Sequence, residues 1–199
     1  GVWDFATGLR LVQRRSQLMA RVTGGAMAAL MGFDRAELTA AIAPESEVVL
    51  ANDNSPDQVV VAGTPAGLQR LKEKVKIKRL VPLPVSGAFH SPWMAGPAAE
   101  LAALLQDTPF ADAQCPVYTN VEPQSPTTAG EVLRQRAIAQ MTAPVRWREI
   151  CQELAAAGYR QAWEVGPGSV LAGLVKRTTP EIAVEAIDGW ATLNGKVIS

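Results

Sequence analysis

Histidine occurs once in these 199 residues and cysteine twice, so a metal centre built on nitrogen and sulfur has almost nothing to draw on. Cys115 and Cys151 stand far apart, with neither metal-ligand nor redox spacing, and read as buried reduced thiols in a cytoplasmic setting. An excess of one charge is missing as well. The 19 basic and 19 acidic side chains cancel, which leaves no basic surplus to hold nucleic acid. No apolar run comes near the ~20 residues of a membrane-spanning helix. The opening residues are not a charged-then-apolar signal sequence, and internal repeats and low-complexity stretches are absent. One further absence concerns chemistry. No serine and neither cysteine lies in a Gly-x-nucleophile-x-Gly setting; Ser169, in Gly166-Pro167-Gly168-Ser169, comes nearest but lacks the glycine spacing.

What is present describes a globular protein. Hydrophobic residues make up 48% and charged residues 19%, enough apolar content and length for one domain or two small ones. A helix is predicted from about Asp4 to Arg21, a strand over Ala26–Met31, and a helix through Ile42 capped by Asp34. Val48–Asn52 and Val59–Ala62 read as strands joined by an Asn-Ser-Pro-Asp turn. Thr64 caps a helix that has Pro65 at its first position and ends near Lys74, and Ile77–Pro82 is the next strand. This β-α-β-β-α-β order predicts a ferredoxin-like small subdomain over residues 24–84. Beyond it, helices over Trp93–Gln106, Gly130–Gln140, Val145–Ala157 and Val170–Lys176 alternate with strands over Pro116–Val121 and Gln161–Val165. Residues 1–23 and 85–199 are accordingly assigned to a second, parallel α/β layer. The stretch after about Asp188 has no strong periodicity.

Two residues stand out on physical grounds. Projected on a helix, Leu11, Val12, Leu18, Met19 and Val22 form an apolar arc with Arg15 at its centre. A permanent charge there needs an internal salt bridge, a snorkelling path, or a ligand carboxylate to grip. His90 follows the strand-like run Leu80–Val85 in Val85-Ser86-Gly87-Ala88-Phe89-His90-Ser91-Pro92. An imidazole in such a turn is either a hydrogen-bonded structural residue or a proton carrier near neutral pH. Gly166-Pro167-Gly168 is a tight strand-to-helix turn and not a phosphate loop, because the lysine-serine signature is missing and proline removes a donor. Lys72, Lys74, Lys76, Lys78 and Arg79 form a solvated basic face, with Val75 and Ile77 on its inner side.

The His90 segment, the run Asn52-Asp53-Asn54-Ser55-Pro56-Asp57-Gln58-Val59-Val60 and the run Glu164-Val165-Gly166-Pro167-Gly168 together resemble the malonyl-CoA:acyl-carrier-protein transacylases of fatty-acid synthesis. The likeness extends from Gly1 to about Arg177. It implies a hydrolase-like acyltransferase layer beside the ferredoxin-like subdomain. The implied activity is transfer of malonyl from coenzyme A to the acyl carrier protein thiol by a ping-pong serine mechanism. Malonyl-CoA and acyl carrier protein are the implied partners, with no metal or redox cofactor and coenzyme A as the handle of the substrate. By the same resemblance His90 is the general base, and Gln140 lies where a neighbouring main-chain carbonyl orients that base. Arg15 binds the malonyl carboxylate, Phe89 shapes the acyl pocket in the manner of malonyl-selective members, and Asn52 and Asn54 line the site. Asx-turn chemistry explains the two asparagines almost as well. The basic face around Lys76 would help to steer an acidic carrier protein.

The family's Gly-Gln-Gly-Ser-Gln loop and Gly-His-Ser-Leu-Gly elbow are not among these residues. The expectation is therefore a C-terminal portion without its nucleophile, inactive alone and prone to self-association through uncovered sheet edges. The acyltransferase of a polyketide synthase or malonate decarboxylase is the near alternative. A non-catalytic module that binds malonyl groups or carrier protein is the alternative of another class.

Overall fold

The computed structural model describes residues 1–42 and 47–189. Most of the stretch after Asp188, which has no strong periodicity, lies outside the described residues. Helix α1 (Phe5–Ala20) begins where the Asp4 carboxylate accepts a hydrogen bond from the Thr7 N–H at 2.7 Å. There follow β1 (Ala26–Met31), α2 (Arg35–Ala41), β2 (Val48–Ser55), β3 (Gln58–Gly63), α3 (Pro65–Lys74) and β4 (Arg79–Pro82). Asp34 and Thr64 cap α2 and α3 through the Glu37 and Gly67 N–H groups, as the sequence predicts.

The four strands form one sheet in the order β2-β3-β1-β4, and every neighbouring pair is antiparallel. Both faces are buried, each by one half of the strand alternation. Ala28, Leu30, Val59 and Val61 pack with Leu38 of α2 and Leu71 of α3. Met27, Ala29, Val60 and Ala62 point the other way and meet Ala88, with Leu83, Val85 and Phe89 packed alongside. The small side chains of that second face let the segment carrying His90 lie close against the sheet.

After a 3-10 turn at Pro92–Met94 come α4 (Ala95–Asp107), α5 (Gly130–Ala139), α6 (Trp147–Ala156), β5 (Gln161–Val165), α7 (Val170–Thr178) and β6 (Ala183–Ile187). Leu11 and Leu18 of α1 pack on Leu101 and Leu105 of α4 together with Met94 and Met141. β5 and β6 pair in parallel, from Gln161 with Ala183 to Val165 with Ile187. The chirality of the turn into α7 requires glycine at both ends, with φ of 144° at Gly166 and 92° at Gly168.

Several expectations need correction. Pro116–Val121 is not a strand; it makes one isolated bridge, Val117 to Thr127, because no neighbouring strand extends the pairing. β6 was not anticipated. β4 is shorter than Ile77–Pro82, and Ile77 instead packs beneath the sheet. Val12 is 61% exposed and lies with Phe5 and Leu9 on an uncovered stripe of α1, so the apolar arc around Arg15 is only partly buried. Among the described residues no helix is long and apolar enough to cross a membrane.

Candidate functional site

The structure brings Arg15, His90 and Gln140 into contact, whereas Asn52 and Asn54 meet Gln140 across a cavity whose lining includes none of Arg15, Phe89 and His90. His90 sits eight residues beyond the end of β4 rather than at a strand end, in a turn clamped from several sides. The Leu83 N–H donates to the Met27 carbonyl at 2.9 Å, the Ser91 hydroxyl donates to the Ala88 carbonyl, and Ala88 is fully buried. His90 itself has a φ of 54°, a left-handed conformation that a non-glycine residue adopts only when its surroundings impose it.

Its Nδ1 lies 3.2 Å from the Gln140 carbonyl and 3.2 Å from the Ala143 carbonyl. Carbonyl oxygens only accept, so Nδ1 carries the proton and Nε2 is left with a free lone pair. Partial burial holds the imidazole below its ordinary value of 6.5, the two carbonyls oppose that shift, and the Arg15 charge adds to it. The ring is thus neutral near pH 7 and oriented as a proton acceptor.

Arg15 reaches the same group. Its Nη2 donates to Gln140 Oε1 at 3.1 Å, and among the described residues it makes no ion pair with a carboxylate. Burial draws its pKa down, and it remains a cation at neutral pH. The salt-bridged alternative is not what the described residues contain. Gln140 therefore touches both outstanding residues, its carbonyl at His90 and its amide oxygen at Arg15. It also lines a cavity of about 640 Å³ whose wall includes Asn52, Asn54, Trp3, Trp147 and Leu174.

Asn52 and Asn54 alternate with buried Ala51, Asp53 and Ser55 along β2, which turns both asparagines to the cavity. Phe89 packs where the α1–α4 cluster meets the sheet. The Glu164 carboxylate accepts from the Leu171 and Ala172 N–H groups at 2.9 and 2.7 Å, so the start of α7 is occupied by a side chain of the chain itself. Of the two thiols expected to be buried, only Cys151 is, and burial pushes it up to about 11, so it is no substitute nucleophile; Cys115 is exposed. Among the described residues no group of histidine, cysteine and carboxylate side chains could hold a metal ion. The sequence reading missed Ala143, whose contribution is a main-chain carbonyl, and Asp53, whose partners are distant in sequence.

The sequence profile of the acyl transferase domain matches residues 4–196. The chain belongs to that family. It is 52% identical over 194 residues to the malonyl CoA-acyl carrier protein transacylase of Synechocystis sp., covering 98% of this chain and 66% of that protein. The crystal structure of the Synechocystis enzyme superposes with a TM-score of 0.94, over 98% of this chain and 67% of that one. A type II PKS acyl-carrier protein in complex with its malonyl-transacylase gives a TM-score of 0.89 at 35% identity, covering 98% of this chain and 65% of the other. The chain spans about two thirds of the length of the malonyl CoA-acyl carrier protein transacylases of Synechocystis sp. and Escherichia coli.

Proposed function

We propose that this acyltransferase chain carries the proton-transfer and carboxylate-binding part of a site that moves malonyl from coenzyme A to the thiol of acyl carrier protein. One observation carries the reading: the sole histidine is held Nδ1-protonated by two carbonyls, and a guanidinium that makes no ion pair with a carboxylate among the described residues shares Gln140 with it. In this reading the Nε2 lone pair of His90 takes the proton of a serine hydroxyl as its oxygen attacks the malonyl thioester carbon. The tetrahedral adduct then expels the coenzyme A thiolate, which receives that proton. In the second half the carrier-protein thiol gives its proton to His90, its sulfur attacks the serine ester, and the serine oxygen leaves and regains the proton. Arg15 grips the free carboxylate throughout, Phe89 bounds the acyl chain, and Asn52 and Asn54 line the approach.

The serine belongs to the third of the family's length that these residues do not span, so the 199 residues alone should form no acyl-enzyme. Joining the chain to the corresponding remainder of a transacylase relative should restore transfer, and His90→Ala in that chimera should abolish it. Arg15→Met should cut kcat/KM for malonyl by roughly 10- to 150-fold, the loss of a charge-assisted pair, and spare acetyl. Equal losses for malonyl and acetyl would overturn the carboxylate role. The polyketide setting of one structural neighbour supports a second acceptor; parallel assays with fatty-acid and polyketide carrier proteins separate the two.

The same reading treats residues 24–84 as a ferredoxin-like subdomain, supported by the β2-β3-β1-β4 order. Residues 1–23 and 85–199 are then a partial hydrolase-like layer, supported by the parallel β5–β6 pair. It needs no metal or redox cofactor and fits a cytoplasmic setting with free Cys115 and Cys151. The exposed Lys76, Lys78 and Arg79 suit an acidic carrier protein. Exposed Trp163 and Val165 on β5 suit self-association of the isolated chain.

A further inference from the structure

Asp53 lies between the two cavity asparagines, yet its side chain turns away from them and is only 7% exposed. A carboxylate at that depth needs partners. It has two: Oδ1 accepts from Arg35 Nη2 at 2.9 Å, and Oδ2 accepts from Arg148 Nε at 2.8 Å. Arg35 opens α2 and Arg148 lies in the first turn of α6, so one buried carboxylate ties both helices to β2.

The main chain repeats the connection. The Asp53 N–H donates to the Val145 carbonyl at 2.8 Å, and the Val145 N–H donates to the Ala51 carbonyl at 2.8 Å. Val145 thus docks as a single residue on the outer edge of β2. Two residues before it stands Ala143, whose carbonyl holds His90 Nδ1; three residues after it stands Arg148. A lone bridge of two backbone hydrogen bonds is a weak anchor for a loop, since each contributes only about 1 kcal/mol net. The buried ion pair fixes the same loop from its other side.

We propose that Asp53 is a positioning residue, holding the 140–148 segment through Arg148 so that the Gln140 and Ala143 carbonyls fix the Nδ1–H form of His90. The proposal rests on reading His90 as the base, but it concerns the proton on the ring and can be tested without turnover. Because the chain has one histidine, the imidazole nitrogens in ¹⁵N-labelled protein give a single unambiguous signal pair.

The wild-type chain should show an Nδ1–H imidazole with a bare Nε2. Asp53→Asn and Arg148→Gln should each lower the Nδ1–H to Nε2–H ratio roughly tenfold, the worth of one hydrogen bond. Arg148→Lys, which keeps the charge, should recover part of the ratio. Arg70→Gln, which removes an exposed pair with Glu47 just ahead of β2 and makes no contact with Asp53 or Arg148, should leave it unchanged. Arg148→Gln leaves Asp53 paired with Arg35, so it decides the matter if Asp53→Asn does not fold. A folded Arg148→Gln chain with the wild-type tautomer overturns the role of Asp53. An Nε2–H imidazole in the wild type instead overturns the reading of His90 as the base, so the two failures are distinct.

Discussion

Replacing Gly25 by alanine should test how tightly the histidine turn is pressed against the sheet. A Cβ built on Gly25 lies 2.4 Å from the Ala88 backbone nitrogen and 2.8 Å from Ala88 Cβ. Neither atom is the end of a flexible side chain, and Ala88 is fully buried, so the new methyl has nowhere to go. Either the start of β1 or the Gly87–His90 turn must move. Overpacking of this kind costs about 1–3 kcal/mol. For a chain of this length that is a fall in midpoint temperature of roughly 2–12 °C. Gly8 supplies the contrast. It lies inside α1 with nothing within 4 Å of an added Cβ, so alanine there removes only the helix penalty of glycine. Gly8→Ala should stabilise by up to about 1 kcal/mol. Urea unfolding followed by circular dichroism measures both, and the imidazole resonances of His90 should shift in Gly25→Ala alone. A Gly25→Ala midpoint equal to or above that of the wild type would refute the close approach.

Leu18 is fully buried between α1 and α4, and Leu18→Ala should cost about 2–5 kcal/mol, read as a lower urea midpoint at unchanged slope; a loss below about 1 kcal/mol would mean that the cluster collapses around the gap. His90 titrates below 6.5 in the folded chain, mainly through burial, so the unfolded chain binds its proton first as pH falls. Its contribution is therefore complete above about pH 6.5 and is lost as pH falls through the lower folded value. His90→Gln should lack that component when stability is compared between pH 7.5 and 5.5, and identical pH slopes for the two proteins would contradict the depressed imidazole.

Local chemistry determined much of this protein before any folding is considered. Asp34 and Thr64 announce their helices because their side-chain oxygens reach N–H groups three residues on, an interaction that needs no distant partner. The limits of β1 follow from its small and apolar residues and the glycines that flank it. The resemblance of the His90, Asn52–Val60 and Glu164–Gly168 segments pointed to a family that the profile over residues 4–196 bears out. Helical phase singled out Arg15, although the exposure of Val12 shows that phase alone does not say how wide a stripe its neighbours cover.

Tertiary structure decided the rest, wherever a residue's state depends on a partner far along the chain. Val117 is β-branched but makes a single bridge, to Thr127, and among the described residues no strand extends it. β6 exists only through its parallel pairing with β5. The tautomer of His90 depends on two carbonyls 50 and 53 residues away, and carbonyls carry no side-chain signature in a sequence. Asp53 reads as part of an asparagine-rich turn until Arg148, 95 residues on, is seen beside it. Capping and alternation act within a few residues and are written locally; desolvation, ion pairing and main-chain acceptance are set by whatever the fold brings near.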